Sequence, residues 1–165
     1  MVKIFYSDLF KDDSQLLKLA KSVQSKTYEL SDFLVNVLQI KELPSVQPEK
    51  ITYHDCCHLL RELKIKEEPR RLMASMKNCS LEELGDEEKC CGFGGLFSVK
   101  FPELSQKVAD EKIEAIKNTG AKCLVASDIS CLMHLAGRMQ KENVPIQTLH
   151  LAELLAGYGL SLIHI

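Results

Sequence analysis

Tryptophan is missing from this 165-residue sequence, and four tyrosines and six phenylalanines are all the other aromatics it has. No aromatic-basic stripe for stacking nucleobases can be built from so few. An excess of one charge is missing too. Lys and Arg number 21 against 23 Asp and Glu, and the net charge of -2 excludes a basic footprint for nucleic acid. No apolar run reaches the roughly 18 residues that a membrane helix needs, so no membrane span is expected. Met1 to Tyr6 lacks the long apolar stretch and small-residue cleavage site of a secretory signal. Repeats and low-complexity segments are absent. The remainder, 45% hydrophobic and 27% charged, is ordinary for a soluble domain with one core. Cysteine is what the chain has in excess: seven, an odd number. In a reducing compartment such cysteines serve as metal ligands or redox groups more often than as disulfides, so a cytoplasmic location is expected.

The stretch Cys90-Cys91-Gly92-Phe93-Gly94-Gly95 concentrates this chemistry. Adjacent side chains diverge in a strand or a helix, but two thiolates on a turn can converge on a metal. Gly92, Gly94 and Gly95 permit such a turn, because glycine accepts positive φ and lets backbone approach a bulky group. Their amides can also form a nest that favours an anion.

Apolar periodicity places the rest. Residues 1–11 are rich in apolar groups without a period. Leu16, Leu19, Ala20 and Val23, then Leu30, Phe33, Leu34, Val37 and Leu38, recur at helical spacing behind caps at Asp12, Asp13 or Ser14. Residues 14–40 therefore read as one long helix or two abutting ones, with a core-facing stripe. Pro44 and Pro48 mark a connection over 41–50. Lys50–His54 reads as a strand running into Asp55-Cys56-Cys57-His58. Leu59–Leu63 and Arg70–Met76 read as short helices split by Pro69, with Arg70 and Arg71 on a solvated face. A short strand is expected over 80–84, then an acidic turn over 85–88. Pro102 opens a helix that Gly120 ends. Cys123–Ala126 reads as a buried strand, residues 129–139 as a helix, 145–149 as a last strand and 150–156 as a short helix. Alternating strands and helices predict an α/β domain with a mainly parallel sheet.

Cys57, the Cys90–Cys91 pair and Cys131 all fall on predicted turns, which a parallel sheet can bring to one edge. Four thiolates there suit a soft metal centre, either zinc or iron–sulfur. The spacing fits structural zinc poorly, since zinc sites show two close Cys pairs. Cys79 and Cys123 read as small buried hydrophobes. Cys56 is ambiguous, a packing residue or a spare ligand.

Three words of the sequence carry a resemblance: Tyr53-His54-Asp55-Cys56-Cys57-His58-Leu59, Cys90-Cys91-Gly92-Phe93-Gly94-Gly95, and Asp128-Ile129-Ser130-Cys131-Leu132-Met133-His134. Together they resemble the cysteine-rich CCG domain. That domain occurs in heterodisulfide reductase, in the glycolate oxidase iron–sulfur subunit and, with the closest wording, in lactate utilization protein A. The likeness spans roughly residues 12–156. It implies an α/β, Rossmann-like parallel sheet flanked by helices, with a helical N-terminal segment. It further implies a [4Fe–4S]-type cluster, with a non-cubane form among the options, held by Cys57, Cys90, Cys91 and Cys131 with help from Gly92, Gly94 and Gly95.

The sequence departs from the family at three places. The family's Cys-x-x-Cys position reads Asp128-x-x-Cys131, so Asp128 is either a weak ligand or, the favoured reading, a helix cap. Family members carry two modules and only the second is evident, so residues 1–45 are expected to be a helical segment made of the end of a missing first module plus linker helices, and 46–160 the CCG module. Residues 161–165 are expected to be a non-native tail. His54, His58 and His134 stand near the motif cysteines, where they could hydrogen-bond cluster sulfur or be ordinary surface or capping residues. By resemblance, the chain would relay electrons in a 2-hydroxy-acid oxidation system, L-lactate to pyruvate. It would work beside other subunits of a lactate or glycolate oxidation complex and would not be catalytic alone. The open alternatives are a heterodisulfide-reductase-like role, thiol redox chemistry and a structural zinc module.

Overall fold

A computed structural model describes residues 1–43, 50–85 and 88–157. The centre of the connection with Pro44 and Pro48, part of the acidic turn and the tail at 161–165 lie outside the described residues.

The N-terminal third is helical. Helix α1 (Val2–Leu9) forms where the sequence shows no period, because α2 (Ser14–Lys26) folds back against it. The Gln24 side chain ties the pair, its Nε2 donating to the carbonyls of Lys3 and Ile4 at 3.2 and 3.1 Å. Asp13 caps α2 by accepting from the Gln15 and Leu16 amides. Helix α3 (Leu30–Asp32) continues into a π-helical turn, Phe33–Val37, so the segment is two abutting helices. The expected core-facing stripe does not form. Of Leu16, Leu19, Ala20 and Val23, Ala20 alone is buried, while the others are 43%, 62% and 47% exposed. The small alanine face turns inward and the large side chains turn out.

Strand β1 (Lys50–His54) leads through a second π-helical turn, Leu59–Leu63, to helix α4 (Glu67–Ala74). Pro69 does not split this segment. It sits in the first turn of α4, where the helix has no use for its missing N–H. Strand β2 (Ser80–Leu81) is shorter than the sequence suggested. Helices α5 (Leu96–Lys100) and α6 (Pro102–Asn118) follow the glycine turn, with Pro102 in the first turn of α6 and Gly120 beyond its end at φ +66. Strand β3 (Cys123–Ala126), helix α7 (Ile129–Lys141), strand β4 (Gln147–His150) and helix α8 (Leu151–Leu155) complete the described chain.

All four strands are parallel, in the order β2-β1-β3-β4. Side chains alternate across the sheet. Ile51, Tyr53, Cys123 and Val125 pack with Met73, Leu151 and Leu154 on the face covered by α4 and α8. Leu124 and Ala126 pack with Ile113, Ile116, Leu132 and Leu135 of α6 and α7 on the other. Each fully buried large aliphatic stabilises the fold by about 1.5–3 kcal/mol. From the central pair the chain leaves in opposite directions, β1 through α4 to β2 and β3 through α7 to β4. At such a switch point the loops after the two strands separate and leave a crevice, where open α/β sheets bind ligands.

Candidate metal centre

The crevice holds the cysteines. His54 lies opposite Ala126 in the β1–β3 register, so the segments leaving the two strands start side by side. The first supplies Asp55, Cys56 and Cys57, and the second leads into α7, whose first turn contains Cys131. The glycine turn brings Cys90 and Cys91 over the same spot. Four thiols neighbour one another in series: Cys90 beside Cys91, Cys91 beside Cys131, Cys131 beside Cys56. Cys56, Cys91 and Cys131 are buried and Cys90 is half-buried. Cys57 is exposed. The alternation of β1 continues past its end, so Cys56 shares the inner side with His54 while Cys57 turns outward as the helical turn begins.

This crowding holds Cys90, Cys91 and Cys131 in their protonated form. Hydrogen bonding to Cys131 is the largest influence on Cys91, which is pushed up to about 11. Cys131 is raised further by Cys56, and Cys90 by Cys91. Neighbouring thiols cannot all ionise without a cation to balance them, and a soft metal supplies that charge. Backbone already favours the anionic form locally, as the Gly92 amide donates to Cys90 Sγ at 3.3 Å and the Phe93 amide to Cys91 Sγ at 3.5 Å.

The turn is locked onto its neighbours. Gly92 has φ +90, and a Cβ there would lie 2.6 Å from the Ser105 carbonyl oxygen. Ser105 Oγ donates to the Gly92 carbonyl at 2.7 Å and lies 3.3 Å from His134 Nε2, whose ring also faces Phe93. His134 is thus engaged with the turn's support. Asp55, buried beside Cys56, receives both terminal nitrogens of Arg70 at 3.0 and 2.7 Å, and Arg70 also pairs with Glu83. Arg70 is therefore no solvated residue but the anchor of a buried carboxylate, and only Arg71 of the pair faces solvent.

Asp128 caps α7. Its Oδ1 accepts from the Ser130 and Cys131 amides at 2.8 and 3.1 Å and from the Ser130 hydroxyl, while Oδ2 lies 3.5 Å from His58 Nδ1. Partial burial works against ionisation, but these hydrogen bonds hold its carboxyl below the ordinary range. Cys123 lies on the opposite face of the sheet, pushed up to about 12 by burial, and Cys79 packs beside that cluster, both as packing residues.

His54 is the residue whose importance the sequence understated. It is 1% exposed, and neither ring nitrogen has a hydrogen-bond partner among the described residues. Burial, reinforced by Lys112 and opposed by Asp128, lowers it to about 3, so the ring is neutral. Its ligand atom, Cys91 Sγ and Cys131 Sγ all lie within 4.8 Å of one another. Period-two spacing from His54 to Cys56 is the one signal that could have found it. Neighbouring thiols and an orphaned imidazole form a donor set that fits a soft metal or an iron–sulfur cluster.

The model of the family described as "CCG: Cysteine-rich domain" matches residues 51–136, more than half the chain. The chain belongs to the CCG cysteine-rich domain family. The matched part of this CCG domain runs from β1 through most of α7 and so contains the whole crevice. Among curated relatives, Lactate utilization protein A of Halalkalibacterium halodurans is 46% identical over 150 residues, 91% of this chain and 62% of that protein. Lactate utilization protein A 2 of Bacillus cereus is 44% identical over 156 residues, 94% and 64% of the two chains. Lactate utilization protein A 1 of Bacillus anthracis is 43% identical over the same length. The CCG domain and its helices thus span less than two thirds of the relatives they match.

Proposed function

We propose that this chain is the cluster-carrying part of an iron–sulfur electron-transfer subunit in a system that oxidises L-lactate to pyruvate. The observation that carries the reading is the meeting of Cys56, Cys90, Cys91 and Cys131 in the switch-point crevice. The family match and the names of the relatives supply the substrate class. Cys90, Cys91 and Cys131 hold a [4Fe–4S]-type cluster, with the fourth thiolate from Cys56, or from Cys57 if its turn rotates inward. A bound cluster supplies one-electron transfer. The chain's own residues position the thiolates, donate amide hydrogens to them and keep water from His54 and Cys56. Lactate oxidation releases two electrons and two protons at a partner, and this chain passes the electrons onward among the subunits of that complex. Residues 1–45 serve as the end of a preceding module and the link from it, and the assembly works in the cytoplasm. Among the described residues no helix is long and apolar enough to cross a membrane.

Anaerobic reconstitution with iron and sulfide tests this, read by visible absorbance and by iron and acid-labile sulfide assays. A brown protein that loses iron and sulfide together in Cys90→Ser and Cys91→Ser is expected. Parallel Cys56→Ser and Cys57→Ser variants assign the fourth thiolate. A folded, colourless wild type without iron or sulfide overturns the reading. The spacing of His54, Cys91 and Cys131 also favours a second reading, a mononuclear zinc site. Stoichiometric zinc in protein purified anaerobically and never treated with iron would establish it instead.

A further inference from the structure

We propose that His54 is itself a ligand of this centre, one ring nitrogen bonding the metal alongside the thiolates of Cys91 and Cys131. The inference rests on the function proposed above and adds a nitrogen donor to a site that the motif describes by cysteine alone. Three observations carry it. First, the ring is buried and both nitrogens lack hydrogen-bond partners among the described residues. An unpaired buried polar group costs about 1–3 kcal/mol and is rare in native proteins unless something else engages it.

Second, the ring is placed among the thiols. It is the last residue of β1, on the inner face, and its ligand atom and the two buried sulfurs of Cys91 and Cys131 all lie within 4.8 Å of one another. Third, the Asp128 carboxylate at the start of the neighbouring α7 is committed to the helix cap and to His58. A buried imidazole without a hydrogen-bond partner among the described residues, beside two thiols, is a ligand combination that iron and zinc accept in mixed Cys/His sites.

The test uses the full chain, reconstituted anaerobically with iron and sulfide, with natural-abundance or ¹⁵N-labelled histidine. Pulsed electron paramagnetic resonance of the paramagnetic state reads nitrogen coupled directly to the cluster. A strong coupling that changes its pattern with the label, survives in His58→Gln and His134→Gln, and is lost in His54→Gln is the expected result. The wild-type label experiment decides the presence of a bound imidazole even if His54→Gln fails to load, and the other two variants then assign it. A loaded cluster with no such coupling overturns the inference and leaves the electron-transfer reading standing. A coupling that persists in His54→Gln also overturns it. Protein that takes up neither iron nor sulfide overturns the electron-transfer reading and this inference together.

Discussion

A histidine at a strand end draws little notice until its surroundings are counted. His54 is neutral because burial holds it near 3, against an ordinary 6.5. In the unfolded chain it takes a proton as pH falls through 6.5, whereas in the folded, metal-free protein it refuses one until about 3. The unfolded state therefore binds more protons across that window, and folding stability falls as pH falls. One proton corresponds to about 1.4 kcal/mol for each pH unit. Denaturant titration of metal-free protein between pH 6 and 4 should show this extra acid slope, and His54→Leu should lose it. Parallel slopes for the two proteins would contradict the burial. Arg70 teaches the reverse lesson about reading residues singly. Its place beside Arg71 in a charged helix suggested solvent, and nothing in the sequence announced a partner at Asp55, 15 positions away.

At the scale of the element, the glycine turn is decided by fit as much as by flexibility. Gly92 and Gly95 both hold positive φ, but a Cβ at Gly92 meets the α6 backbone at Ser105, whereas nothing lies within 4 Å of one at Gly95. Gly92→Ala should cost about 1–3 kcal/mol through strain at positive φ. It should also reduce iron uptake, because the clash pushes Cys90 and Cys91 off α6. Gly95→Ala carries the strain without the clash, so it should keep its iron uptake. Thermal melts and iron assays on the two variants check the contrast. Strands β1 and β3, helices α6 and α7, and the cap at Asp128 were legible in the sequence because each is written locally, in apolar period, proline placement or cap chemistry. Helix α1, the exchange of Cys57 for Cys56 on the inner side, and the engagement of His134 with Ser105 were not. They depend on which segments meet across the fold, and periodicity reports on one segment at a time.

The whole molecule divides its apolar surface unevenly. The α/β part buries both faces of its sheet, while the N-terminal helices leave Leu16, Leu19 and Val23 in solvent. Leu96, Val99 and Phe101, next to the glycine turn, are exposed as well. Exposed apolar side chains at this density adsorb hydrophobic dyes. The chain in isolation should bind such a dye while folded, and Leu16→Ser/Leu19→Ser should lower that fluorescence without lowering the unfolding free energy by more than about 1 kcal/mol. Unchanged fluorescence in the double variant would place the dye elsewhere.

The ties around the glycine turn give one serine an unusual reach. The Ser105 hydroxyl of α6 holds the Gly92 carbonyl, and His134 of α7 lies against the same hydroxyl. The turn is therefore seated on two helices at once. A change at Ser105 would disturb the cysteine pair without touching a cysteine.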